Sequence, residues 1–461
     1  MKWAKTLLVI LLASASMLLP AFFNGFPLLY SDTGAYIASG FEGKVPLDRP
    51  ITYGLFLRHA SLAHSLWFVV LAQSIIVSAL LWVVFTHFLG SGKRAAIWFL
   101  ALVFGLNLLS SLPWISGMLM ADIFTPISFL LLYILMFQTP TKKWLLVFFA
   151  LAYLFTTATH LTHAPAHLAL LVGIAFFKLI IPKFLQAISW LKWSLGFALV
   201  LLNFVFLPAL HYTHDAGWVS SRSGHLFLTA RFVESGAVKA YLDENCADKT
   251  AFLCQYKDSL PNNGSDFLWL PESILYKTGG WAENTDGYKE INRQILRSPA
   301  YFNIYFFHTL KVLQFHLFAH NIGEELIPLG LNSPPGWETE AHFKNELPQL
   351  LGSKQTANYW QGKLNGLNQI LFIVWAIAIL ICFYFLFSKQ LANPIRIFIL
   401  CIFLVYLGNF IAVCIASSGS RYNARLDWLF VFMAALSFSA FLRKNPESRV
   451  QNPESRLLEA R

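Results

Sequence analysis

Long apolar runs return along almost the whole chain, and they limit what it can fold into. The first two occupy 7–23 and 65–89, and eight more read as 95–109, 121–137, 144–158, 168–181, 194–210, 367–387, 397–416 and 426–442. A run of about 20 apolar residues crosses a bilayer as a helix, because a helix bonds every backbone N–H and C=O within itself. Only 13% of the residues are charged and 56% are hydrophobic, whereas soluble domains carry about 25% charged residues. The sequence therefore predicts an all-α polytopic membrane protein with about ten transmembrane helices. The net charge of +10 fits the basic bias of cytoplasmic loops and contact with anionic membrane lipids, and no nucleic-acid partner is expected.

Lys and Arg give the orientation. With the N-terminus inside, the cytoplasmic segments are 91–94 (SGKR), the turn with Lys142 and Lys143, the segment with Lys183 and Lys192, the turn with Lys389 and Arg396, and the tail from Arg443. Each holds at least two basic residues, so both termini are expected in the cytoplasm of a bacterial inner membrane. The N-terminal stretch also looks like a signal peptide, but its apolar run resumes at Met17, and an uncleaved first helix is expected.

This topology divides the chain into an N-terminal transmembrane module at 1–210, a polar region at 211–366, C-terminal transmembrane helices at 367–442 and a tail at 443–461. The polar region is expected to form a mainly helical periplasmic domain. Its apolar stretch 301–320 carries Lys311 and three His. As a span it would invert every later loop, so an amphipathic helix at the outer interface is expected. Cys246 and Cys254 lie in the polar region with no common metal-ligand spacing, and a disulfide in an oxidising compartment is expected. Cys382, Cys401 and Cys414 lie in apolar runs and read as packing residues. The tail repeats NPESR and forms no core.

The polar chemistry gathers on the outer face. The first outer loop, 24–64, contains the stretch 30–58, with Asp32, Glu42, Asp48, Arg49 and Arg58. Asp122 sits at the next outward turn, and His160 and His163 lie near the outer end of the fifth helix. Asp32 and Asp122 are each also good helix caps. As a functional pair they would converge on one outward cavity, as a general base and an orienting acid. His160 and His163, three residues apart, would share a helical face and with carboxylates complete a divalent-metal site for Mg or Mn. Alternatively they bond loop backbone. Arg421 and Arg425, and similarly Arg49, suit a lipid phosphate, or serve as interfacial anchors. Walker A, GxSxG and HExxH patterns are missing from the sequence.

The segments YSDTGAYIASG at 30–40 and WISGMLMADIFTPISFLLLY at 114–133 complete a layout that resembles the GT-C superfamily of membrane glycosyltransferases. Its closest likeness is to the dolichyl-phosphate-mannose mannosyltransferase and aminoarabinose transferase branch. The resemblance covers the layout of about the first 180 residues, and SDTG supplies one acid where that family has an adjacent acidic pair. It implies a GT-C-like fold and transfer of a hexose or pentose from a polyprenyl-phosphate donor to a lipid, glycan or protein acceptor. By resemblance Asp32 is the catalytic acid, Asp122 the second outer acid, and Arg421 and Arg425 hold the donor phosphate. A transporter or flippase of a lipid-linked or small polar solute, and a non-catalytic envelope assembly protein, are the alternatives.

Overall fold

The computed structural model describes residues 2–138, 142–246, 252–324, 326–416 and 420–444. The repetitive tail at 445–461 lies outside these. Among the described residues the structure is helical, with one isolated bridge between Leu28 and Met118. The longer helices are labelled α1 (Lys2–Met17), α2 (Thr33–Glu42), α3 (Thr52–Ala60), α4 (Leu66–Leu89), α5 (Lys93–Leu109), α6 (Phe124–Phe137), α7 (Lys143–Thr157), α8 (His163–Ile180), α9 (Trp190–Tyr212), α10 (Gly224–Ser235), α11 (Thr285–Arg297), α12 (Pro299–Phe318), α13 (Pro334–His342), α14 (Asn365–Phe387), α15 (Asn393–Ala416) and α16 (Ala424–Lys444).

A helix forms at each of the ten apolar runs, but six are long and apolar enough to cross a bilayer: Leu66–Leu89, His163–Ile180, Trp190–Tyr212, Asn365–Phe387, Asn393–Ile415 and Ala424–Arg443. The chain is a multi-pass membrane protein on this evidence. The apolar helices at Trp3–Met17, Ala121–Phe137 and Lys143–Thr157 are shorter. The first run is broken because Pro20 lacks the N–H that a continuous helix requires, so a second short helix, Leu19–Asn24, starts there.

One of the shorter helices, α6, is enclosed on all sides: every residue from Phe124 to Met136 is buried. A helix that is apolar all round belongs inside a bundle, and α6 is packed by α4, α7, α9 and α16. Elsewhere the helices approach through small residues, as association in lipid requires. A Cβ on Gly408 of α15 would lie 2.6 Å from the Ala166 carbonyl of α8, and one on Gly173 would lie 2.6 Å from Leu404. Cys382, Cys401 and Cys414 are buried and free.

The polar region expected as one domain at 211–366 divides between two cores. Leu226, Phe232, Leu242, Phe267, Leu275, Tyr288 and Ile295 build a separate core, closed on one side by Tyr301 and Tyr305 of α12. Cys246 and Cys254 form a disulfide at its edge. Ile322, Leu326, Leu329, Phe343, Leu350 and Trp360 instead join the main membrane core. Helix α12 is not among the six candidate spans, and it leaves Phe307, Phe315 and Phe318 exposed.

The segment after α12 is knitted to the first loop. Gln355 accepts from Leu29 N at 3.0 Å and donates to Leu29 O at 2.8 Å. Glu346 accepts from Leu66 N at 2.9 Å and so supplies an N-terminal cap to α4. Helix α13 lies against α2, where Gly34 leaves room for Pro334 and Pro335. Helices α2 and α3 meet backbone to backbone: a Cβ on Gly40 would lie 2.2 Å from the Gly54 carbonyl oxygen. The contacting atom belongs to backbone and cannot rotate away. Gly40→Ala should therefore destabilise the protein by about 1–3 kcal/mol, read as a lowered melting temperature in detergent. An unchanged melting temperature would show that the two helices can separate at no cost.

Candidate functional site

Two acids that lie far apart in sequence are brought to the same end of the bundle by a short zipper. Leu28 N donates to Gly117 O and Leu119 N donates to Leu28 O, both at 2.9 Å. Thr33 Oγ1 then donates to Leu119 O at 3.1 Å and accepts from Tyr30 N at 2.9 Å. Asp32 follows on one side of this zipper and Asp122 on the other. Gln73, a lone carboxamide in the apolar helix α4, donates to Met118 O at 3.0 Å and accepts from Tyr53 OH at 2.6 Å. It ties the same turn to α3.

Asp32 stands at the N-cap position of α2, but its side chain makes no capping bond. The carboxylate faces two arginines. Arg49 Nη2 lies 2.9 Å from Oδ1 and Arg421 Nη2 lies 3.4 Å from Oδ2. The carboxylate is 20% exposed, and this partly open end of the site is its mouth. Burial alone would raise its pKa, but the charges of Arg49 and Arg421 outweigh burial and hold it below the ordinary carboxylate value.

The two arginines are engaged differently. Arg49 donates through Nε to Asp48 at 3.0 Å, through Nη2 to Asp48 and Asp32, and through Nη1 to the Asp32 carbonyl at 3.3 Å. Its ring contact is Tyr36, at 5.1 Å. Arg49 is thus committed to holding Asp32 in place rather than to a phosphate. Arg421 is held between aromatic rings, its guanidinium 4.0 Å from the Tyr30 centroid and 4.9 Å from that of Tyr422. Its Nη2 also reaches Tyr422 OH at 3.2 Å, while Nη1 is buried with no hydrogen-bond partner among the described residues.

Asp122 does not cap α6 either; it pairs with Arg425 at 3.1 Å. Arg425 is fully buried, and it donates through Nε to Asn409 at 3.1 Å and through Nη2 to Asn409 and to Thr162 Oγ1, the latter at 2.9 Å. The expected phosphate ligand is therefore a buried structural cation whose donors are taken. It ties Asp122, the loop before α8, α15 and α16 together. Arg425 also lies 4.8 Å from the Tyr422 centroid, so one ring touches both arginines.

His160 and His163 have ring centroids 5.4 Å apart. His163 Nδ1 faces the Thr156 carbonyl at 3.3 Å, so it carries the proton, and Nε2 accepts from Thr125 Oγ1 at 2.7 Å. His160 Nδ1 accepts from Thr162 N at 3.2 Å and faces Thr162 Oγ1 at 2.9 Å. Burial and then the charges of Arg425, Arg421 and Arg49 push the His160 pKa well down, so it is neutral. Among the described residues no group of three or more His, Cys, Asp or Glu side chains is placed to hold a metal ion. Both nitrogens of His163, one of the two histidines expected to face a metal, are engaged by α6 and α7.

Sequence reasoning named Asp48 without giving it a role and passed over Tyr36, Tyr30, Tyr422, Thr162 and Asn409. Asn409 did carry a signal, as a lone carboxamide within the apolar run of α15. No family model matches the chain, and no curated protein or solved structure is similar to it by sequence or fold.

The two ion pairs respond to different perturbations. Arg425→Met leaves Asp122 buried and unpaired and should cost about 3–5 kcal/mol of stability. Adding Asp122→Leu should recover most of that, measured by thermal unfolding in detergent; no recovery would mean that Arg425 acts mainly through Asn409 and Thr162. For Asp32 the folded pKa lies below the ordinary value of about 3.9. The ion pair therefore stabilises the fold above that ordinary value and is lost as pH falls through the lowered one. The melting-temperature gap between wild type and Asp32→Asn should be constant from about pH 5 to pH 8 and close only below about pH 4. A gap closing near pH 6 would contradict the arginine pairing.

Proposed function

We propose that this protein is a GT-C-like glycosyltransferase of a bacterial inner membrane, with its site on the periplasmic face. It would move a hexosyl or pentosyl group from a polyprenyl-phosphate carrier to a hydroxyl of a lipid, glycan or protein. One observation carries this reading: Asp32, a partly exposed carboxylate with a lowered pKa, sits beside Arg421, whose buried Nη1 has no hydrogen-bond partner among the described residues.

The reaction asks little covalent chemistry of the protein. The acceptor oxygen forms a bond to the anomeric carbon, and the bond from that carbon to the phosphate oxygen breaks with its electron pair. Polyprenyl phosphate leaves, and the acceptor proton passes to Asp32. A carboxylate with a lowered pKa is a weak base, so it orients the hydroxyl and takes the proton as the new bond forms. Arg421 is the donor that answers to the leaving phosphate. Its contact to Asp32 is long, at 3.4 Å, and exchanging that contact for phosphate frees Oδ2 toward the acceptor. Arg49 keeps Asp32 placed throughout. Asp122 and Arg425 support the mouth from within the bundle. In this scheme the donor charge is met by arginine.

The test uses the full chain in nanodiscs with radiolabelled sugars on undecaprenyl phosphate and an envelope-lipid extract as acceptor. Wild type should produce labelled product, and Asp32→Asn should lose about 100-fold or more in rate when both are assayed well below their melting temperatures. Arg421→Lys, which keeps charge but loses the planar fork, should raise the KM for the carrier. Full activity in Asp32→Asn would sink the assignment. Label crossing the bilayer without transfer would favour a flippase instead.

A further inference from the structure

A cavity of about 290 Å³ opens between Asn321, Gly323, Leu326, Ile327 and Pro328 on one side and the turn that leads into α14 on the other. That is close to the lower bound, about 300 Å³, of ordinary small-molecule pockets. Asn321, Asn358, Gln361, Asn365 and Asn368 line it, with Trp360 beside them, and among the described residues none of its lining side chains is charged. A carboxamide both donates and accepts and bears no charge. Five of them beside an indole suit a ligand with neighbouring hydroxyls, each also donor and acceptor. A phosphate would need Arg or Lys here, and a cation would need carboxylates.

Part of the amide set is fixed by the protein. Asn368 Oδ1 accepts from Ile322 N at 3.0 Å, and Asn368 Nδ2 donates to Asn321 Oδ1 at 3.2 Å. Gly323 N also donates to Asn321 Oδ1, at 2.9 Å. Across the cavity Asn358 Nδ2 donates to Gln361 Oε1 at 2.5 Å. The Asn358 and Gly362 backbones are left-handed, with φ of 57° and 72°. These are conformations that Asn and Gly tolerate best, and they shape the turn that presents Trp360 and Gln361. The amino groups of Asn321 and Gln361 and the whole Asn365 carboxamide are not taken up by these bonds.

Both walls lead back to the acid–arginine mouth. Gln355 Nε2 donates to Ile327 O in the cavity wall at 3.1 Å and to Leu29 O at 2.8 Å, next to the Tyr30 that contacts Arg421. Trp360 Nε1 donates to Asn24 Oδ1 at 3.0 Å. On the other side His320, which precedes Asn321, lies 2.5 Å from Asp427, two residues beyond Arg425.

We infer that this cavity binds an uncharged sugar or polyol. Its assignment to the acceptor side rests on the transferase reading above; the binding itself does not. An acceptor glycan seated among the carboxamides is held by the same segment that clamps the first loop.

The experiment uses the full chain and reads binding without turnover. In detergent micelles, saturation-transfer NMR is recorded with methyl β-D-glucopyranoside and with methyl N-acetyl-β-D-glucosaminide. In phosphatidylglycerol nanodiscs, native mass spectrometry scores binding of added diglucosyldiacylglycerol. The Gln361→Ala/Asn365→Ala variant removes two exposed carboxamides and should keep the wild-type melting temperature. At least a tenfold weaker Kd in this variant, for a free glycoside or for the glycolipid, supports the inference; which probe responds tells a soluble glycan from a lipid headgroup. No binding of any probe, or binding equal in wild type and variant, overturns it. Asp32→Asn should bind as wild type does. Cavity-dependent binding together with no transfer by wild type would leave the cavity standing and remove the transferase reading, while full transfer by Asp32→Asn would remove only the role given to Asp32. Loss of transfer in Asp32→Asn with no cavity-dependent binding would keep the transferase reading and remove the cavity.

Discussion

A guanidinium with no exposed surface, inside a bundle meant for lipid, is tolerable only if every strong donor is met. Arg425 sets that condition, and Asp122, Asn409 and Thr162 meet it. These partners come from the turn before α6, from α15 and from the loop before α8. Satisfying one charge therefore fixes how several helices register against one another. Leaving any partner out exposes a desolvated charge, so the arrangement tolerates few alternatives. The open mouth around Asp32 is built on top of this closed pair, with the Tyr422 ring touching both arginines.

The mouth and the closed pair divide the work that two similar acids were expected to share. The Asp32 side chain is 20% exposed, and its neighbour Arg421 keeps an N–H unmatched among the described residues. The Asp122 side chain is 11% exposed, and its partner Arg425 has its nitrogens engaged. Equivalent residue types thus arrive at different surroundings through the partners of their arginines as much as through burial. Arg49 and Arg421 divide in the same way: one is bonded through every nitrogen, and the other is held chiefly by aromatic faces.

The sequence was most readable where the physics is local. Apolar length located all ten helical runs, and the acids at 32 and 122 stood out because polar residues beside membrane helices demand partners. Cys246 and Cys254, close in sequence, paired as expected. The partners of the acids were not legible, because Asp32 meets Arg421 across 389 positions and Asp122 meets Arg425 across 303. No local pattern encodes such a contact. The same limit hid the split of the polar region. Residues 322–364 read as part of a soluble domain because they are polar overall, yet a few spaced apolar side chains dock them onto the membrane core. Run length alone also did not separate the six helices long enough to cross a bilayer from the shorter ones, among which α6 is apolar all round and packed by protein on every side.

The clamp by Gln355 on Leu29 and the reach of Arg421 to Asp32 have a consequence for biosynthesis. Both contacts join the first loop to chain made late, across 326 and 389 positions. Helices enter the membrane in order, so the first loop emerges long before its partners exist. Until the final helix pair is inserted there is no assembled mouth, only a loop with an exposed acid. Competence is thus deferred to the end of synthesis, and a chain halted midway carries the acid without the site.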